Sequence, residues 1–233
     1  MLEQLKVLVC EANLRLVEVG LVISTFGNVS GLDRDGRRVV IKPSGVAYAR
    51  MRPEHMTVVS LDDGQILEGD LRPSSDTPTH LEIYRAFPGI GGVVHTHSVY
   101  ATAWAQACRD IPPLGTTHAD YFHGPVPCSR PLSSVEIAHD YERNTGTVIV
   151  ERLQGMQIEE SPGVLVAHHG PFAWGANPSE AVEHAVILEY LARLAAETIA
   201  LRPGAIEMPR ELLDRHFLRK HGAGRYYGQR GSG

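Results

Sequence analysis

Two short apolar runs, each led by glycine and each ending in histidines, constrain this chain most. Gly91-Gly92-Val93-Val94 runs into His95-Thr96-His97, and Gly163-Val164-Leu165-Val166-Ala167 runs into His168-His169-Gly170. Short apolar runs bounded in this way read as buried strands. Side chains alternate faces along a strand, so His95 and His97 are expected to project the same way from one strand end. Two such ends side by side could assemble three imidazoles, the ligand set of a catalytic metal that keeps one position open. A metal of that kind polarises a carbonyl and holds an oxyanion. The plain alternative is two unrelated pairs of strand-end histidines, because His-x-His is common by chance.

The remaining patterns surround these strands with helices. Leu5, Leu8, Ala12, Leu16 and Val19 recur at three- and four-residue steps and predict an amphipathic helix stopped by Gly20. Residues 21–30 read as a strand entering the loop Phe26-Gly27-Asn28-Val29-Ser30. Residues 38–42 read as a strand cut off by Pro43-Ser44-Gly45. Residues 57–61 and 65–67 flank Asp62-Asp63-Gly64, a hairpin signature. Ser75, Asp76 and Thr77 are candidate caps, with Pro78 in the first turn, for a helix running through Phe87. Further helices are expected near 99–108, 135–155, 180–201 and 212–218. Residues 110–134 form a long loop, which inside a compact domain is more often functional than idle. The order predicts one α/β domain over residues 1–233, with a central, largely antiparallel sheet covered by helices.

Composition removes several classes. The apolar fraction is 43%, the charged fraction 21% and the net charge −5 with both signs interspersed, which argues against a nucleic-acid partner. The apolar runs are too short to span a bilayer, and the N-terminal stretch lacks a signal-peptide core. Cys10, Cys108 and Cys128 match no zinc spacing; Cys10 and Cys108 fall in apolar helical patterns and read as core. A cytoplasmic location is expected. Gly89-Ile90-Gly91-Gly92 precedes its strand, so it is not a dinucleotide fingerprint. No GxxxxGK[ST] loop and no HExxH helix occurs. Of the lysines Lys6, Lys42 and Lys220, only Lys42, at a strand end, is a candidate for a Schiff base, and it lies beside a phosphate-like loop instead.

Three short loops could hold an anion: Gly27-Asn28, Lys42-Pro43-Ser44-Gly45 and Ser74-Ser75. Glycine lets backbone N–H groups approach a ligand, serine hydroxyls add donors, and Ser74-Ser75 precedes a helix N-terminus. Each could equally be an ordinary turn. Asp76 is either an N-cap or a metal ligand or proton-transfer group. Asp120 could be an acid/base in the long loop or a solvated carboxylate. Tyr226-Tyr227, aromatic residues in a polar, glycine-rich tail, either pack on a neighbouring surface or bring a phenol to an active site.

Taken together these segments resemble the class II aldolase/adducin family, and within it the pentulose-phosphate 4-epimerases. The matching stretches are Glu11-Ala12-Asn13-Leu14, Gly27-Asn28-Val29-Ser30, Ile41-Lys42-Pro43-Ser44-Gly45-Val46 and Pro73-Ser74-Ser75-Asp76-Thr77-Pro78-Thr79-His80. They continue through Val94-His95-Thr96-His97-Ser98, Gly115-Thr116-Thr117-His118-Ala119-Asp120-Tyr121, Gly170-Pro171-Phe172-Ala173-Trp174-Gly175 and Lys220-His221-Gly222 to Tyr226-Tyr227-Gly228-Gln229.

The resemblance implies a three-layer class II aldolase-like fold and one Zn2+ per subunit, held by His95, His97 and His169 with Asp76 close by. Aldolase-like members place a glutamate where Asp76 stands. It implies that Gly27, Asn28, Ser44, Gly45, Ser74 and Ser75, with Lys42 beside them, hold the phosphate end of a sugar-phosphate substrate. It further implies that Asp120 and Tyr227 are the acid/base pair, the tyrosine reaching in from an adjacent subunit of a homotetramer whose sites lie at subunit interfaces. The implied reaction interconverts L-ribulose 5-phosphate and D-xylulose 5-phosphate, in arabinose breakdown or a related pathway. Because the C4 hydrogen is not acidic, inversion there requires retro-aldol cleavage of C3–C4 and re-addition to the other aldehyde face. The alternatives are an aldolase that releases its fragments, such as one acting on L-fuculose 1-phosphate, and a non-catalytic adducin-like scaffold. His168 departs from the family pattern as an extra histidine that could be mistaken for the third ligand, while His169 keeps the position next to Gly170.

Overall fold

The computed structural model describes residues 2–222. Its first helix, α1 (Leu2–Glu18), is followed by β1 (Asn28–Asp33), β2 (Arg38–Ile41), β3 (Thr57–Ser60) and β4 (Ile66–Glu68). Next come α2 (Thr77–Ala86), β5 (Gly92–His95), α3 (Val99–Gln106), α4 (Thr116–Ala119), α5 (Ser134–Ala138) and α6 (Tyr141–Leu153). β6 (Gly163–Val166), β7 (Gly170–Gly175), α7 (Pro178–Leu201) and α8 (Arg210–His221) complete it.

The strands form one sheet in the order β4-β3-β2-β1-β5-β7-β6, antiparallel at every pairing. The interior strand β5 is buried on both faces, which is why it is a continuous apolar run rather than an alternating one. Val93 joins a core made with Leu81, Ile83 and Tyr84 of α2 and Val148 and Ile149 of α6. Val94, on the other face, joins Ala12 and Leu16 of α1 and Ala181 and Val182 of α7. Helices therefore cover both faces, as the sequence pattern predicts. No helix among the described residues is long and apolar enough to cross a membrane.

Several boundaries differ from the sequence expectation. Residues 21–27 are not a strand; the strand starts at Asn28, inside the expected loop. β1 is fixed by neighbours on both sides, with Val29 opposite Val94 and Ser30 opposite Ile41, so the ladder rather than local pattern decides its limits. β7 was not anticipated, because Gly170, Pro171 and Gly175 read as turn residues. Pro171 lacks a donor but its carbonyl still accepts from Thr96 N–H, at 3.4 Å. The helix expected over 135–155 is two, broken where Asp140 takes φ +51. Cys108 is exposed, not core: α3 stops at Gln106 and Cys108 turns away with φ +52. Cys10 is buried as expected.

Candidate metal centre

β1, β5 and the β6–β7 turn bring the histidines together. His95 ends β5, directly opposite Asn28 of β1 and Phe172 of β7. Its ring stacks on Phe172 with centroids 4.2 Å apart and planes at 18°. His95 Nδ1 lies 3.0 Å from the Pro171 carbonyl. A carbonyl only accepts, so Nδ1 carries the proton and Nε2 presents its lone pair. His97 lies beyond the strand and is exposed, yet its Nε2 comes within 3.1 Å of His95 Nε2. His169 follows in the β6–β7 turn. One ligand atom from each of His95, His97 and His169 lies within 4.8 Å of the others, the one such group of three or more among the described residues. Burial and the neighbouring imidazoles hold His97 and His169 below the usual histidine range, His169 at about 3, so their lone pairs are free. Three imidazoles are a donor set that suits zinc. His169 Nδ1 is also buried without a partner among the described residues. A buried ring nitrogen in that state is costly unless another group takes it up. The residues present fit a metal ion.

His168 does not compete. With φ +61 it turns out of the cluster, and its Nε2 lies 3.3 Å from the Cys108 thiol.

Asp76 stands beside the cluster at the N-terminus of α2 and lines the same cleft, outside the group of three ligand atoms. It makes no capping hydrogen bond. Asn28 Nδ2 instead donates to Asp76 Oδ2 at 2.7 Å and to Ser74 Oγ at 3.1 Å. Burial works to raise the Asp76 carboxyl pKa; His95, His80, His169 and the Asn28 amide outweigh it and hold the group as a carboxylate. Behind it His80, fully buried, contacts Ser30 Oγ at 2.7 Å, and Ser30 Oγ lies 2.8 Å from the Tyr84 hydroxyl.

The anion loops converge on the same place. Ser44 N–H donates to the Arg72 carbonyl and Ser74 N–H to the Lys42 carbonyl, so the Lys42 and Ser74 loops are tied side by side. Gly27 takes φ +81, and a Cβ there would meet Val22 and the His95 carbonyl at 2.7 and 3.0 Å. Only glycine fits that crossing. Lys42 is buried and its amine reaches the Thr25 carbonyl at 3.3 Å; burial lowers its pKa against the pull of Asp76.

Gly27, Asn28, Lys42, Ser44, Gly45, Ser74, Ser75, Asp76, His95, His97 and His169 thus line one cleft of about 410 Å³. A larger groove of about 780 Å³, between α1 and α7 beside Leu8, Arg15 and Val182, contains none of these groups.

One expected participant is elsewhere. Asp120 caps the end of α4, and its Oδ1 accepts from Arg219 at 3.0 Å and faces His216 Nδ1 at 3.2 Å. Lys220 approaches its other oxygen at 3.5 Å. α8 therefore holds Asp120, which does not line the cleft of its own chain. Tyr226 and Tyr227 lie outside the described residues. In the other direction, Phe26, Tyr141 and Glu142 line the cleft without having been singled out as site residues. Tyr141 and Glu142 were hidden inside the single helix expected over 135–155, since Asp140 is neither glycine nor proline.

A family model described as the class II aldolase and adducin N-terminal domain matches residues 7–196. L-ribulose-5-phosphate 4-epimerase UlaF of Salmonella paratyphi A is 52% identical over 229 residues, 98% of this chain and all of that protein. The protein of the same name from Salmonella typhi matches equally. Among solved structures, L-fuculose 1-phosphate aldolase superposes with a TM-score of 0.78 at 23% identity, covering 91% of this chain and 94% of that one. YgbL of Klebsiella pneumoniae, titled a putative aldolase/epimerase/decarboxylase, superposes with a TM-score of 0.71 at 25% identity over 92% of this chain and 98% of that one.

Proposed function

The chain belongs to the class II aldolase and adducin family, and within that family we propose that it is an isomerase interconverting L-ribulose 5-phosphate and D-xylulose 5-phosphate. One observation carries the reaction class: three imidazoles, a carboxylate and three anion-binding loops meet in one cleft. The Salmonella relatives, with their named activity, favour the epimerase over an aldolase.

A divalent ion, which we take to be Zn2+, would be held by His95, His97 and His169 beside Asp76, and when bound would supply a Lewis acid for oxyanion charge. The protein's own groups do the rest. Asn28, Lys42 and the Ser44-Gly45 and Ser74-Ser75 loops bind the phosphate. A base removes the C4 hydroxyl proton, the C3–C4 electron pair passes to the three-carbon fragment, and C4 becomes the aldehyde of glycolaldehyde phosphate. That aldehyde turns while its phosphate stays anchored, the bond re-forms on its other face, and an acid returns a proton to the new alkoxide. Loss and return occur on opposite sides, so two proton-transfer groups are needed. We assign them to Asp120 and Tyr227. Asp120 does not line the cleft of its own chain, which favours delivery from an adjacent subunit of a cytoplasmic homotetramer.

The test is purified, metal-loaded protein incubated with L-ribulose 5-phosphate. D-xylulose 5-phosphate should accumulate to equilibrium. Dihydroxyacetone and glycolaldehyde phosphate accumulating without D-xylulose 5-phosphate would make it an aldolase instead.

A further inference from the structure

Two aromatic rings flank the histidine cluster and have no part in the steps just described. Phe26 is 54% exposed, and its ring stacks on His97 with centroids 5.9 Å apart and planes at 23°. The Tyr141 ring lies 6.2 Å from His169, tilted by 34°. Both line the cleft, along with the Asn28, Lys42 and Ser74 anchor.

The backbone holds each ring in place. The Tyr48 hydroxyl contacts the carbonyls of Phe26 and Gly27, each at 2.9 Å, which pins the loop that carries Phe26. On the other side Asp140 adopts φ +51 and starts α6 at Tyr141. A non-glycine residue in that conformation stores strain, and such strain concentrates where a side chain must be aimed.

The chemistry gives such rings a purpose. Once C3–C4 is broken, the two fragments are joined by nothing covalent, and one must rotate before the bond re-forms. The phosphate can be held by directional hydrogen bonds because it stays still. The aldehyde end cannot, because a fixed hydrogen bond would oppose its rotation. Flat apolar walls exclude water and supply contact area without fixing orientation.

We propose that Phe26 and Tyr141 are paired aromatic walls that retain the cleaved fragments while the aldehyde turns, and so set the partition between epimerisation and fragment release. This rests on the epimerase reading. It assigns both residues to specificity, with no proton transfer at the Tyr141 hydroxyl.

The test measures, with metal-loaded full-length enzyme and L-ribulose 5-phosphate, dihydroxyacetone released per D-xylulose 5-phosphate formed. A ratio taken within the active molecules does not move when part of a variant merely fails to fold. Phe26→Ala and Tyr141→Ala should each raise it by about tenfold or more, the scale on which apolar contacts discriminate. Tyr141→Phe, which keeps the ring, should leave it unchanged, and metal content should be unaltered in all three. An unchanged ratio in both alanine variants overturns the inference. So does Tyr141→Phe raising the ratio as far as Tyr141→Ala, because the hydroxyl would then do the holding. No epimerisation by the unaltered enzyme would instead overturn the proposed activity, and this inference with it.

Discussion

The histidine end of the cleft and the Asp120 region are built in opposite ways. His95 sits on the interior strand β5, buried, with one ring nitrogen bonded to Pro171 and its face against Phe172. Asn28 on the neighbouring strand holds Asp76. That assembly comes from one chain and is anchored on the paired strands β1, β5 and β7. Asp120, by contrast, sits after a single helical turn and is held by Arg219, Lys220 and His216 of the last helix, away from the cleft. Binding groups are thus mounted on the rigid core, whereas the proposed proton-transfer group is mounted at the periphery. In the proposed intersubunit site this division has a use: each chain would bind by itself and lend its peripheral groups to a neighbour.

The division can be broken most sharply at the two ends. His97→Asn should lower metal content and activity together, with the activity loss on the order of 10³-fold or more, since the donor set itself is incomplete. Asp120→Asn and Tyr227→Phe should each cut kcat by roughly 10²–10⁴, the usual worth of general acid–base catalysis, with metal retained. Mixing the Asp120→Asn protein with the His97→Asn protein under conditions that exchange subunits should restore part of the activity, because some interfaces then combine intact metal ligands on one chain with an intact Asp120 and Tyr227 on its neighbour. Demonstrated mixed oligomers without any recovery would show that Asp120 does not act across the interface.

The same division explains what could be read from the sequence. The cleft groups were legible because strands expose a simple code: an apolar run between glycines, then ligands at its end. His95, His97 and the Gly27, Lys42 and Ser74 loops all carry residue types whose chemistry is local. β7 was not legible, because its Gly170, Pro171 and Gly175 imitate a turn; only pairing to β5 and β6 makes it a strand. Tyr141 and Glu142 were missed for a related reason. The break at Asp140 leaves no glycine or proline to signal it, and beyond it α6 packs against α2. Cys108 was misplaced because an apolar helical pattern does not say where the helix ends.

A smaller effect tests whether the Asp120 region is itself ordered from within. His118, two residues before Asp120, is buried, with its Nε2 2.7 Å from the Gly124 carbonyl, to which it donates. Burial lowers its pKa to about 4, against a modest opposing effect of that hydrogen bond. A histidine depressed in the folded state is protonated first in the unfolded chain, whose value is near 6.5. Its contribution is therefore complete above about pH 6.5 and is lost as pH falls through 6.5 to about 4, by up to about 3 kcal/mol. Chemical unfolding of the wild type and of His118→Gln, followed from pH 7 to pH 4, should show a shallower acid decline in the variant. Parallel declines would mean that His118 opens to solvent before global unfolding, and that Asp120 is carried on a loop with no internal anchor.

The smallest expected effect lies at the residue beside the third ligand. His168 and His169 are adjacent, and sequence spacing alone admits either as the metal ligand. Backbone conformation separates them: His168 occupies the left-handed region with φ +61 and directs its ring to Cys108, while His169 faces His95 and His97 with ring centroids 4.7 and 5.2 Å away. Asparagine tolerates the left-handed region better than most residues. His168→Asn should therefore fold normally, keep its metal and retain activity within about twofold, the ±0.5 kcal/mol typical of a surface change. His169→Asn should empty the site. Metal analysis of the two purified variants decides between them, and loss of metal from His168→Asn with retention in His169→Asn would show that the turn is registered one residue away from the geometry described here.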